Sequence, residues 1–288
     1  MKTFDRKAQD VGNIVALEHV NVWIADQGLC TLFYVVGLGG TRDPYLMVST
    51  ENMWVNFGQE QFHLITNKPQ VLRGHTGLVV PDLDALLARL EAVRPKLAGT
   101  AFAFSMEDKH VAATCPWGNR IRCYAPAPQF GDITLGVAYV EFTVAPGTAP
   151  GIARFYQQIM GAPATVLAEA AGTAAHVRVG GRQELIFRET TDAMAAFDGH
   201  HIAVYIADFS GPHKKLQDRG LISEESNDYQ YRFVTIADPD SGQPLFEIEH
   251  EVRSFTHPMF MRPMVNRNPA QRQATWQRGR DAFVPGMV

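Results

Sequence analysis

The sequence predicts an α+β fold of four βαβββ units, divided between two domains. Three observations carry this reading. A short alternating strand is written four times, as LEHVNVWIAD (17–26), GHTGLVVPD (74–82), AYVEFTVA (138–145) and HHIAVYIAD (200–208). The copies recur about every 60 residues, the period of a repeated supersecondary unit. After each copy come a helical apolar stripe and then alternating runs bounded by turn residues.

In the first unit, alternation puts His19, Asn21 and Trp23 on one face of the strand over 19–24 and Val20, Val22 and Ile24 on the other. Asp26 is placed to cap a helix, because its carboxylate can accept from the unpaired N–H groups of the first turn. Leu29, Leu32, Phe33 and Val36 form that helix's stripe, and Gly37, Gly39 and Gly40 end it. Strands are expected over 45–48, 52–57 and 61–66. In the second unit the stripe is Leu83, Leu86, Leu87, Leu90 and Val93, with strands over 101–105, 111–114 and 120–124. The last of these follows a Pro-Trp-Gly-Asn turn at 116–119. Residues 125–132 read as a linker.

The third unit repeats the first helix with Ile152, Phe155, Tyr156 and Ile159, capped by Thr148, before strands over 164–168, 176–179 and 184–189. The fourth has a weaker helix over 212–218 and strands over 232–236 and 245–250. A tail follows from Ser254, with helical periodicity only over 270–283. The expected divisions are a first domain over 14–126, a second over 133–253 and an extension over 254–288.

Composition bounds the function classes. Hydrophobic residues make up 46% of the 288 and charged residues 19%, so the chain can bury a proper core. A net charge of −4 without a dense basic patch argues against nucleic acid. No run of about 18 apolar residues is present, so no membrane span is expected. Residues 1–12 lack an apolar signal core, and Cys30, Cys115 and Cys123 form neither an even set nor a metal-type spacing. A cytoplasmic protein with reduced thiols is the expectation.

The helix sequences LCTLFYVVGLGG and IARFYQQIMGAPA, the Pro-x-Gly-Asn turn and the fourfold order resemble the vicinal oxygen chelate superfamily. Glyoxalase I, fosfomycin-resistance enzymes, bleomycin-resistance proteins and type I extradiol dioxygenases belong to it. The resemblance covers roughly 14–253. It implies cupped sheets that hold a divalent metal, with ligands from the opening residue of each first strand and one position on each last strand. Carried over, these positions are His19, His63, His75 and Arg122 in the first domain and Tyr139, Ile186, His201 and Glu247 in the second, with Glu249 as a substitute for Glu247.

The leading expectation is therefore a metal-dependent enzyme of the glyoxalase/dioxygenase type acting on a small oxygen-rich anion in the first cup. His19, His63 and His75 would hold iron, zinc, manganese or nickel. Arg122 would act catalytically by fixing the anion, and Asn21, Trp23, Trp54 and Asn56 would line the pocket. A metal-free, bleomycin-resistance-like binding protein is one alternative. An extradiol-type dioxygenase using Tyr139, Glu141, His201 and Glu247 is another. The partners expected are a small molecule and further copies of the chain.

Overall fold

The structure is a computed structural model, describing residues 4–46, 49–262 and 264–267. Four βαβββ units are present. The first comprises β1 (Ile14–Asn21), α1 (Gln27–Cys30) running into a π-helical stretch (Thr31–Gly37), β2 (Thr41–Arg42), β3 (Asn52–Phe57) and β4 (Glu60–Ile65). The second comprises β5 (Gly74–Val79), α2 (Leu83–Val93), β6 (Ala103–Met106), β7 (Val111–Thr114) and β8 (Arg120–Tyr124). In the third, β9 (Gly136–Val144) precedes α3 (Ala149–Phe155), a second π-helical stretch (Tyr156–Met160), β10 (Ala164–Glu169), β11 (Gly172–Val179) and β12 (Gln183–Glu189). In the fourth, β13 (His201–Ile206) precedes α4 (Ser210–Gln217), β14 (Ile222–Asn227), β15 (Gln230–Ala237) and β16 (Pro244–Arg253).

These strands form two eight-stranded sheets, and the pairing does not follow chain adjacency. One sheet runs β14-β15-β16-β13-β1-β4-β3-β2 and joins the first unit to the fourth. The other runs β10-β11-β12-β9-β5-β8-β7-β6 and joins the second to the third. The seams are the antiparallel pairs β1–β13 and β5–β9. Adjacent units meet through helices instead. Arg89 Nε of α2 donates to the Gly37 carbonyl at 3.2 Å, and Lys215 Nζ of α4 donates to the Gln158 carbonyl at 2.8 Å. The sequence pattern identifies the units, but amphipathicity does not say which edge strand meets which.

One apolar cluster spans both sheets, and α3 lies between them, packed against β10–β12 on one side and β15–β16 on the other. Polar staples fix the sheets to each other. Gln183 of β12 accepts from Leu17 N–H at 2.9 Å and donates to the Val137 carbonyl at 2.9 Å, so one amide bridges β1 and β9. Glu60 of β4 accepts from Val137 N–H at 3.1 Å and from Arg182 at 3.2 Å.

Several local expectations hold. Asp26 accepts from Leu29 N–H at 2.7 Å and Asp82 caps α2 in the same way. The three cysteines are free and buried. Others change. Val36 is exposed and Val35 buried, because i→i+5 bonding widens the helix and shifts its stripe by one residue. Thr148 bonds back to the Ala145 carbonyl, and Glu189 accepts from Ala149 N–H at the start of α3 in its place. The strand expected over 45–48 is replaced by β2 at Thr41–Arg42, with residues 47–48 outside the described set. Edge strand β14, ISEESN, lacks the apolar alternation that announces a strand. The helical pattern over 270–283 lies outside the described residues. Among those described, no helix is long and apolar enough to cross a membrane.

Candidate metal centre

The crossed pairing decides which ligand-type residues meet. In the first sheet, β1 lies beside β4 with Asn21 opposite His63, and β13 lies beside β16 with His201 opposite Glu249 and Ala203 opposite Glu251. His19 and His201 hold equivalent places in their units, each seven residues before an Asp (Asp26 and Asp208). His63 is opposite the residue two places after His19, and Glu251 is opposite the residue two places after His201. The four equivalent positions of this cup are thus His19, His63, His201 and Glu251. Glu251 takes the place expected of Glu247, whose side chain is exposed. The same reasoning puts His75, Arg122, Tyr139 and Ile186 at the four positions of the other cup. His75 and Arg122 therefore do not join His19 and His63, because β5 and β8 belong to the second sheet.

His19, His63 and His201 converge, with one ring nitrogen of each within 4.8 Å of the others. His19 Nε2 is 3.4 Å from His201 Nε2, and His201 Nε2 is 3.6 Å from Glu251 Oε2. Two ligands at about 2.1 Å from one ion at a tetrahedral angle lie about 3.4 Å apart, so these spacings suit a common divalent ion. The donor set suits one too: imidazoles with one carboxylate, the pattern borderline divalent metals prefer.

Burial keeps the rings uncharged, as ligation requires. It lowers His19 to about 3, with Glu251 opposing and Arg253 assisting. It lowers His63 to about 2 and holds His201 well below the ordinary imidazole range. A β-bulge between Leu17 and His19 turns Glu18 to the same side as His19. Glu18 Oε2 then lies 3.0 Å from His19 Nδ1, which leaves the His19 Nε2 lone pair facing His201. Asn21 Nδ2 lies 2.8 Å from His63 Nδ1, and Asn52 Oδ1 lies 2.9 Å from His63 Nε2, so ligation by His63 requires exchange of one of these bonds. Trp54 stacks on His63 with centroids 3.7 Å apart and meets His19 edge-on at 4.9 Å.

Behind the imidazoles lies an ion-pair lattice. Arg253 pairs with Glu18 and Glu251, and Arg232 pairs with Glu251 and, at 2.5 Å, with Glu249. Its members come from strands of both units, β1, β15 and β16. Sequence reading named Glu249 only as a substitute and missed Glu18, Arg232 and Arg253. The one signal for Glu251 was the alternation Glu247-Glu249-Glu251, which a solvated face would also give.

The remaining expected pocket residues divide. Asn56 is buried, but it accepts from Gln61 at 2.6 Å and donates to the Val265 carbonyl at 3.0 Å, so it anchors the segment after β16. Arg262 makes two bonds to Asp43 in the same strap, at 3.1 and 2.8 Å. Trp23 lies past the end of β1, where its N–H and carbonyl pair with Gln70. In the second cup, Tyr139 OH lies 3.1 Å from His75 Nε2, and Glu141 is held by Arg188 at 3.0 Å. Tyr139 and Glu141 therefore do not share a site with His201.

This fold matches glyoxalase I from Zea mays, over 83% of this chain and 92% of that one, with a TM-score of 0.59 at 13% identity. It also matches a protein from Bacillus subtilis subsp. subtilis str. 168 described as a "putative dioxygenase", over 84% and 86%, with a TM-score of 0.54 at 14% identity. No protein-family model and no curated protein matches the chain. The chain has the vicinal oxygen chelate fold, and at these identities the likeness speaks for the fold alone.

Proposed function

We propose that this protein is a metal-dependent enzyme of the glyoxalase/dioxygenase type that works in the cup built by its first and fourth units. The observation that carries this reading is the convergence of His19 Nε2, His201 Nε2 and Glu251 Oε2 at spacings of 3.4 and 3.6 Å. With His63 they would hold a divalent ion, which when bound supplies Lewis-acid chemistry toward adjacent substrate oxygens.

The chain's own residues do the rest. Glu18 orients His19 through Nδ1. Arg253 and Arg232 fix the Glu251 carboxylate and offset its burial. Trp54 closes the cup on the His63 side, where it limits water. Glu249, at 20% side-chain exposure against 4% for Glu251, is the acid placed to pass a proton between a bound molecule and solvent. Arg122 lies outside this cup, so the reading requires a substrate with paired oxygens and no longer an anionic one.

Elemental analysis tests it, on protein purified without chelator or histidine tag. About one metal per chain is expected, lost in His201→Ala and kept in His75→Ala. If wild-type protein holds no metal and takes up none of iron(II), zinc, manganese or nickel, the enzyme reading fails and a metal-free binding protein stands in its place. Metal that is lost in His75→Ala would put the centre in the other cup.

A further inference from the structure

The second cup has the same backbone and an inverted chemistry. Where the first cup has His63, it has Arg122, opposite Gly77 of β5; where the first has Glu251, it has Ile186, opposite Glu141 of β9. A guanidinium at a ligand position repels a cation and attracts an anion. We propose that this cup is a metal-free binding site for an oxyanion, a phosphate or carboxylate group, gripped by Arg122 and Arg120.

The geometry supports this at several points. Arg120 and Arg122 are two residues apart on β8, hence on one face, and they lie opposite Thr114 and Ala112 of β7. Together with His75, His110 and Glu107 they line a cavity of about 280 Å³. Arg122 has no hydrogen-bond or ion-pair partner among the described residues, and Arg120 uses only Nε, toward the Gly74 carbonyl at 3.2 Å. Two forks of N–H donors therefore face one hollow, with Glu107 the one acid among its lining residues and neither arginine paired to it, an arrangement that suits bidentate recognition of an oxyanion.

The acids nearby each have a partner other than Arg120 or Arg122, although Glu141 also lies 3.9 Å from His75 Nδ1. Glu141 is bonded by Arg188, Glu184 lies 3.3 Å from His176, and Glu107 accepts from Ser105 at 2.7 Å. After its own burial, the largest influences on the His75 ring are Arg122, Arg120 and Arg188, all positive. The field at this point is that of a cationic pocket. Tyr139, hydrogen-bonded to both His75 and Tyr124, also lines a larger hollow of about 860 Å³ with room for the rest of an organic anion.

The test is calorimetric titration of the full chain at low ionic strength in chloride buffer, first with inorganic phosphate and then with acetate. Saturable binding of at least one is expected, and the stronger of the two names the headgroup. Arg122→Ala, an exposed side chain whose loss leaves nothing unpaired, should weaken binding at least about tenfold with an unchanged melting temperature. His19→Ala, in the other cup, should leave it unchanged. Absence of saturable binding of either anion overturns the proposal. Binding indifferent to Arg122→Ala, or abolished by His19→Ala, overturns it as well, because the anion would then sit elsewhere.

Discussion

His19 Nε2 and His201 Nε2 face each other at 3.4 Å although 182 residues separate them in the chain. Burial holds both rings neutral, so each carries a single N–H, on Nδ1 or on Nε2 according to its tautomer. At most one can donate to the other. A shared ion satisfies both lone pairs at once, and on this relation the metal reading rests.

Glu18 is the residue behind that geometry. Removing its charge weakens the hold on His19 Nδ1–H and makes Nε2 a poorer ligand. Glu18→Gln should lower metal affinity by roughly 10–100-fold while the fold persists. Competition with a chromophoric chelator measures this, and an unchanged affinity would show that Glu18 serves stability only.

Arg253 pairs with Glu18 and Glu251, both nearly inaccessible to solvent. Arg253→Met leaves two buried carboxylates short of a partner. A loss of about 3–5 kcal/mol in urea unfolding is expected, since breaking one side of a buried pair exposes the full desolvation penalty of the other. Adding Glu18→Gln should restore part of that loss. Additive losses in the double variant would contradict the coupling.

Glu60 gives a pH signature of its own. Burial between the sheets raises it to about 7 from an unfolded value of 4.5, with Arg182 and the Val137 N–H opposing. The folded state thus keeps a proton that the unfolded state has already released. Stability from this group is fully present below about pH 4.5 and is lost as pH rises through 7, a change on the order of 3 kcal/mol. Glu60→Gln should remove that downward slope. Unfolding of both proteins at pH 5 and pH 7.5 decides: the variant's relative stability must rise between them.

His250 sits in the core, where Nδ1 donates to the Ile248 carbonyl at 2.9 Å and Nε2 accepts from Tyr156 OH at 2.6 Å. Tyr156→Phe leaves Nε2 buried and unpaired. The expected cost is about 1–3 kcal/mol, read as a lower denaturation midpoint with unchanged metal content. An unaltered midpoint would mean that the bond contributes nothing net.

The four units were legible because each repeats a period-two strand and then a helical stripe, and that pattern survives as β1, β5, β9 and β13. The equivalent positions within each unit, such as His19 with His63 and His75 with Arg122, could be matched as well, apart from the shift from Glu247 to Glu251. What sequence could not supply was the grouping. An edge strand offers the same N–H and C=O row to any partner, so nothing in Leu17–Asn21 says that it will meet β13 and not β5. The bulge at Glu18 and the arginines of β15 and β16 were hidden for a related reason. Their value comes from cross-strand neighbours that have no fixed sequence distance.

The nesting of the units, second with third inside first with fourth, also orders events during synthesis. The inner sheet can close once residue 189 is free, but the outer one waits for β16 and its last residue, Arg253. A chain cut short before Glu251 would contain every strand of the inner sheet and lack one member of the proposed metal centre. On the proposed function, a finished centre would require β1 and β16, the two ends of the sheet-forming sequence, to have been brought together, a long-range step that comes late.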